Sequence, residues 1–189
     1  MSDQSNDGKP ATPAELLTLL ASLGIRYREH RHDAVFTVEQ AKDLRGALPG
    51  AHCKSLFVRD KKAASFLVVC LEDRRLDMKT LASLLGAKRL SFASPDRLRA
   101  RLGVEPGSVT PFAALNDQPP QHGDDSEGSF AKVTIVLDSE MMRADLVNYH
   151  PLVNTATIAI SPADLLRFLD ATGHQPLIAD LGDATVGAA

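Results

Sequence analysis

The run Ala64-Ser65-Phe66-Leu67-Val68-Val69-Cys70-Leu71 has a single polar side chain in eight positions. Successive side chains of a strand point to opposite faces of its sheet, so such a run offers water neither face. It predicts a central strand covered on both sides. Ser55-Leu56-Phe57-Val58, across the polar connection Arg59-Asp60-Lys61-Lys62, predicts its hairpin partner. A chain of 189 residues with 44% hydrophobic side chains can supply both coverings within one domain.

Those coverings are predicted to be helices. Thr12-Pro13-Ala14-Glu15 places a cap, a proline suited to the first helical position and the glutamate of a capping box in order. Leu16, Leu17, Leu19, Leu20 and Leu23 then form an apolar face that Gly24 ends. Ile25 to His30 predicts a short strand, and Thr37 to Gln40 opens a second helix closed by Gly46. Asp77 caps a helix through Leu85, and Ser94-Pro95 starts another that stops at Gly103. Val104 to Pro120 reads as structured loop, and the acidic stretch ending at Ser129 as a mobile insertion. Val133 to Leu137 and Thr155 to Ile160 predict strands, and Ser161-Pro162 begins a helix over Ala163 to Ala171. Irregular alternation with a tight hairpin predicts a single α/β domain, a mixed and mostly antiparallel sheet with packed helices. The domain is expected over residues 12–180, between a disordered leader (1–11) and a tail (181–189).

No apolar stretch approaches the roughly 20 residues that cross a bilayer, and the polar start lacks a secretory signal, so a cytoplasmic protein without membrane contact is expected. Net charge is −3, which argues against general affinity for nucleic acid, but the charge is unevenly spread. Arg74 to Arg101 carries a local +6, and residues 102–189 carry −9. A compact basic segment on an acidic chain suits one polyanion; it also suits a solvated helical face.

Cys53 and Cys70 are too far apart for a CxxC pair and sit among apolar residues, where cysteine ordinarily packs. The six histidines form no metalloprotease pattern, and no metal or cofactor is expected. Two blocks stand out. Gly103 to Phe112 holds two glycines and two prolines, which fix a backbone and bare its N–H groups. Tyr149-His150-Pro151-Leu152-Val153-Asn154-Thr155-Ala156-Thr157 sets hydrogen-bonding groups just before a strand.

These blocks carry a family resemblance. Gly107-x-x-x-Pro111 with Leu115-Asn116-Asp117, and His150-Pro151-Leu152-Val153-Asn154-Thr155 with the following helix and Gly173-His174-Gln175-Pro176, resemble the freestanding prolyl-tRNA editing proteins of the YbaK-like superfamily. So do His32-x-x-Val35-Phe36-Thr37 and His52-Cys53-Lys54-Ser55-Leu56-Phe57, in the same order. The nearest branch is the alanyl-tRNA(Pro) deacylases. The resemblance implies a YbaK-like fold and hydrolysis, in trans, of the ester of mischarged alanyl-tRNA(Pro). It implies neither metal nor covalent nucleophile, with the attacking water positioned by the terminal ribose hydroxyl.

By the same resemblance Lys54 contacts the 3′ end of the substrate and His150 lies near the aminoacyl group, the two catalytic candidates. Ser55, Gly107, Ser108, Pro111, Tyr149, Asn154 and Thr157 are the candidates for substrate binding. Arg74, Arg75, Lys88, Arg89, Arg97, Arg99 and Arg101 are candidate contacts to the tRNA(Pro) acceptor stem. Prolyl-tRNA synthetase is a further expected partner. Two features depart from the family pattern: Ser55 stands where asparagine is common, and the acidic insertion from Gln118 to Ser129 is long. Serine lacks the paired donor and acceptor of an amide, which leaves serine, threonine or cysteine open as the amino acid removed. A binding module without catalysis is the alternative from another class.

Overall fold

The computed structural model describes residues 9–33, 48–62, 64–117 and 131–182. The helix expected from Thr37 to Gly46, the acidic insertion, and most of the leader and tail lie outside the described residues.

Eight strands form one mixed sheet: β1 (Arg28–Arg31), β2 (Ala51–Asp60), β3 (Ser65–Leu71), β4 (Leu90–Phe92), β5 (Thr134–Asp138), β6 (Val147–Tyr149), β7 (Ala156–Ile160) and β8 (Leu177–Ala179). Their order is β1-β7-β6-β2-β3-β5-β8, with β4 paired to β2. Pairings β1–β7, β7–β6, β2–β3 and β2–β4 are antiparallel; β6–β2, β3–β5 and β5–β8 are parallel. The hairpin is longer than its apolar core suggested. Arg59 and Asp60 continue β2, and Asp60 Oδ1 accepts the backbone N–H of Lys62 and Ala64 at 2.8 and 2.9 Å, closing the turn.

β3 is central, as its composition requires. Leu67 and Val69 point into the larger core, built with α1 (Pro13–Ser22), α3 (Pro95–Leu102) and α4 (Pro162–Ala171). Phe66, Val68 and Cys70 point the other way, against Leu81 and Ala82 of α2 (Met78–Leu84). Each large side chain so buried contributes about 1.5–3 kcal/mol. The first helix starts as its sequence dictates: Thr12 Oγ1 accepts the Glu15 N–H, and Glu15 Oε2 accepts that of Thr12. Leu16 and Leu20 are its fully buried residues; Leu17, Leu19 and Leu23 only border the core. Within the loop expected after α3, Pro111–Asn116 winds into a 3-10 turn whose Phe112 meets Tyr149 and Phe168 edge-on, at ring separations of 6.0 and 5.3 Å.

A buried carboxylate ties this turn to the rest. Asp117 Oδ1 accepts from Arg101 at 2.7 Å; its Oδ2 accepts the Val133 N–H at 2.6 Å and His174 Nε2 at 3.1 Å. Burial pushes the Asp117 carboxyl up, but the hydrogen bonds from His174, Val133 and Arg101 outweigh it and hold the group below its usual range. A lowered folded-state pKa means that this contribution is complete above about pH 4 and is lost as pH falls through the folded value. Asp117→Ala is expected to lower the unfolding free energy by about 3–5 kcal/mol, read by urea denaturation at pH 7. The deficit should shrink below pH 4; a deficit independent of pH would place the effect in packing rather than charge.

Candidate functional site

Alternation along the strands assembles the site. In β2, Cys53 and Phe57 face the larger core, while Leu56 and Val58 face the smaller one. Lys54 and His52 therefore share the second face. His52 is in register with Asn148 of β6, and Lys54 with Cys70 of β3. Two positions beyond Asn148 stands His150, on the same face as Lys54. Tyr149 is opposite Ile158 and both enter the larger core, so Thr157, one residue earlier, also lies on the Lys54 face. His30 pairs with Thr157. Lys54, His150, Thr157 and His30 thus line one side of the sheet across β2, β6, β7 and β1.

His32 joins them just past β1. Its Nδ1 lies 2.8 Å from the Asp33 carbonyl and its Nε2 3.0 Å from Thr157 Oγ1. A ring nitrogen facing a carbonyl must donate, so in the neutral ring Nε2 accepts from the Thr157 hydroxyl. The His32 and His150 rings are 6.2 Å apart. His150 Nδ1 lies 2.9 Å from the Ala156 carbonyl, so it too donates there. Burial holds His150 below the usual histidine range, with a smaller push from His32 opposing protonation. A neutral His150 whose Nδ1 carries the proton presents Nε2 as an acceptor. The chain then turns sharply: Leu152, buried, takes φ +67°, a left-handed conformation that non-glycine residues adopt at a cost of order 1–3 kcal/mol. Asn154, half-buried, follows in this turn.

β2 splits its partners beside this row. Its other flank pairs with β3 along Cys53 to Arg59. The near flank pairs with β6 at Ala51 and His52, then with β4 from Val58 to Asp60. Between Cys53 and Leu56 no strand is paired there among the described residues. Lys54 and Ser55 sit at that parting, both half-buried. Gly50 makes the approach of β2 to β6 possible: a Cβ would lie 2.8 Å from the Leu146 side chain and 2.9 Å from its carbonyl oxygen. Lys54 Nζ donates to the Arg74 carbonyl, and His52, Leu71, Glu72 and Asp73 line a hollow of about 560 Å³. Two buried atoms nearby, His52 Nε2 and Asn148 Oδ1, have no hydrogen-bond partner among the described residues.

Other candidates sit elsewhere. Tyr149 is buried with its hydroxyl donating to Met141 Sδ at 3.1 Å, so it shapes the site from behind the sheet. Gly107 is exposed at φ +90° in a turn closed by Ser108 N–H to the Glu105 carbonyl; Ser108 and Pro111 are buried. Phe112 fastens this loop to Tyr149, hence to the strand that leads into His150. Burial pushes Cys53 up to about 12 and Cys70 up to about 11, so both thiols stay protonated at neutral pH. Among the described residues no three His, Cys, Asp or Glu side chains gather into a metal-binding group. His32 and His52 were legible in the sequence only as parts of matching blocks; the period of two along their strands places them on the face of Lys54 and His150.

The basic segment is less available than its charge implied. Arg74 is ion-paired with the buried Asp138 and with Glu140. Arg101 is held by Asp117 and the Ala131 carbonyl, and Arg99 by Asp96 and Glu105. Arg97 reaches the Ser65 hydroxyl at 3.5 Å. Arg75, Lys88 and Arg89 are exposed.

The aminoacyl-tRNA editing domain profile matches residues 32–168. The chain is 37% identical over 170 residues to the Mus musculus prolyl-tRNA synthetase associated domain-containing protein 1, covering 87% of this chain and 94% of that one. It is 35% identical over 169 residues to the prolyl-tRNA editing protein ProX of Acetoanaerobium sticklandii, covering 89% and 94%. A shorter match, 30% identical over 105 residues, covers 54% of this chain and 63% of the multifunctional Ser/Thr-tRNA deacylase ProXp-y of Escherichia coli (strain K12). A solved structure described as a candidate trans-editing enzyme for prolyl tRNA synthetase has a TM-score of 0.63 at 23% identity, over 90% of this chain and 97% of that one; it shares the fold. The matched span contains Lys54, the 107–111 loop and His150, and the chain belongs to the aminoacyl-tRNA editing domain family.

Proposed function

We propose that this protein is an editing deacylase that hydrolyses the ester of mischarged tRNA(Pro), with alanine as the amino acid removed. The observation that carries the reading is the row that sets Lys54 and a neutral His150 on one face of the sheet, at the parting of β6 and β4 from β2. Kinship with the prolyl-tRNA editing protein ProX supports mischarged tRNA(Pro) as the substrate class.

In this reading the 3′ end of the tRNA lies against the parting. Lys54 turns from the Arg74 carbonyl to the ester or the neighbouring phosphate, where a cation counters charge that develops on the carbonyl oxygen. His150 Nε2 accepts a hydrogen bond from the substrate and holds the aminoacyl group in place. The terminal ribose hydroxyl orients the attacking water; the carbonyl carbon gains the hydroxyl, and the ribose oxygen leaves with a proton. Backbone N–H groups of the 107–111 loop close the amino-acid pocket. A pocket that excludes proline is needed because missing methylenes change binding by only about 1–3 kcal/mol, too little for a synthetic site to reject alanine. We place the protein in the cytoplasm with its tRNA, within reach of prolyl-tRNA synthetase.

Serine or threonine is the second reading for the amino acid, favoured by Ser55 and by the similarity to ProXp-y. A panel of alanyl-, seryl-, threonyl-, cysteinyl- and prolyl-tRNA(Pro) separates the two; survival of every ester at the no-protein rate would remove the catalytic reading. Lys54→Ala is expected to lower kcat by about 100-fold or more while the circular dichroism spectrum is unchanged. His150, held below its ordinary value near 6.5, should leave kcat/KM, corrected for spontaneous hydrolysis, level down to that pH and falling only in more acid solution. An acid limb above it would assign the titration to another group.

A further inference from the structure

Lys54 also belongs to a second row, which crosses the sheet away from His150. It is in register with Cys70 of β3, and Asp138 of β5 stands beside Cys70, one step past the paired Val69 and Leu137. Val136 enters the smaller core with Cys70, so Asp138, two residues later, lies on the Lys54 face. Two strand spacings, about 10 Å, separate the ends of the row. Burial pushes the Cys70 thiol up; Lys54 and Arg74 pull it down and Asp138 pushes it further, so all three charges surround one sulfur.

Asp138 is fully buried, and a lysine on its flexible stem is a ready counter-ion for such a group. Among the described residues, however, Lys54 has no carboxylate partner. Arg74 takes that place. Its Nε donates to Asp138 Oδ2 at 3.2 Å and its Nη2 to Glu140, whose N–H donates to Asp138 Oδ1 at 3.3 Å. The Arg74 N–H donates to the Leu71 carbonyl at 3.1 Å, a turn that folds the residue back over the end of β3. From there its own carbonyl accepts from Lys54 Nζ. One residue thus occupies the carboxylate with its side chain and holds the lysine with its backbone.

We propose that Arg74 is a positioning residue for Lys54: its guanidinium withholds Asp138 from the lysine, and its carbonyl parks Nζ at the parting until substrate arrives. The inference rests on the proposed deacylase reading. An ammonium paired with a buried carboxylate would have to break an ion pair in a weakly screening interior before it could meet the ester. A carbonyl is a neutral partner, and leaving it for an ester or phosphate oxygen exchanges one hydrogen bond for another. Arginine suits the task because its planar fork serves Asp138 and Glu140 together, where an ammonium is a single point of charge. The same pairing turns one cation of the basic segment inward, toward the chemistry rather than toward RNA.

The test compares Arg74→Gln, which keeps a hydrogen bond to Asp138 but drops the charge, with Arg74→Gln/Asp138→Asn and Arg74→Lys in the full chain. Substrates are alanyl-tRNA(Pro) and the alanyl ester of its last three nucleotides. Arg74→Gln is expected to lower kcat about tenfold or more on both, because Asp138 then captures Lys54. The double variant and Arg74→Lys should recover kcat to within about threefold of the parent. An unchanged kcat in Arg74→Gln would overturn the inference, as would an equal loss in the single and double variants, which would make the effect one of packing. A rise in KM confined to full-length substrate would also overturn it and make Arg74 an RNA contact. If the parent hydrolyses neither ester, the deacylase reading fails, and Lys54 is followed by its rate of acetylation with acetic anhydride, read by peptide mass spectrometry. An ion pair favours the unreactive ammonium, so the rate should fall about tenfold in Arg74→Gln and return in the double variant; equal rates would overturn the inference. Asp138→Asn alone decides the matter even where Arg74→Gln does not fold. Its Lys54 should react within about twofold of the parent rate, and a rise of about tenfold would show that Asp138 reaches the lysine despite Arg74.

Discussion

A strand without a polar side must be covered twice, and β3 imposes that condition on everything around it. Leu67 and Val69 require the helices of the larger core; Phe66, Val68 and Cys70 require α2 and the smaller one. Exposing either set would forfeit several kcal/mol, a large share of the net stability of a domain. Because β3 is in register with β2 from Cys53 to Arg59, the same alternation is transmitted to β2. Lys54 then has only one face on which to stand, opposite Cys53.

β2 is long enough to serve two neighbours on one flank. β6 occupies its beginning and β4 its end, leaving a parting between them. The beginning carries Lys54, which we assign to ester chemistry; the end holds the edge strand β4.

The loops are fixed by contacts of a different kind. Phe112 wedges the 107–111 loop against Tyr149 and Phe168, and Asp117 gathers hydrogen bonds from three separate stretches of chain. Asp117 and His174 stand in two blocks of the family pattern; their roles here are structural. His174 Nδ1 lies 3.2 Å from Thr172 Oγ1, whose hydroxyl donates to the Leu169 carbonyl, so the imidazole is fixed on both sides.

The sequence by itself determined the elements whose signals are local. Capping residues at Thr12, Asp77, Ser94 and Ser161 mark helix starts because a side-chain oxygen three residues from an orphan N–H acts within one turn. The apolar run of β3 announced its own centrality, and the order of motif blocks around Lys54 and His150 indicated the family. Three short strands, β4, β6 and β8, were not legible: three residues give no period, and such strands exist only through the neighbours that pair with them. Only the tertiary structure decided which cations are engaged within the protein. Charge along the chain pointed to Arg74 through Arg101, but carboxylates from distant positions, Asp117 and Asp138 among them, engage much of that segment. Arg59 and Arg89, thirty positions apart, come to one cavity where β4 folds back on β2. Coulomb interactions depend on distance in space, and proximity of that kind is set by sheet topology rather than by position in the chain.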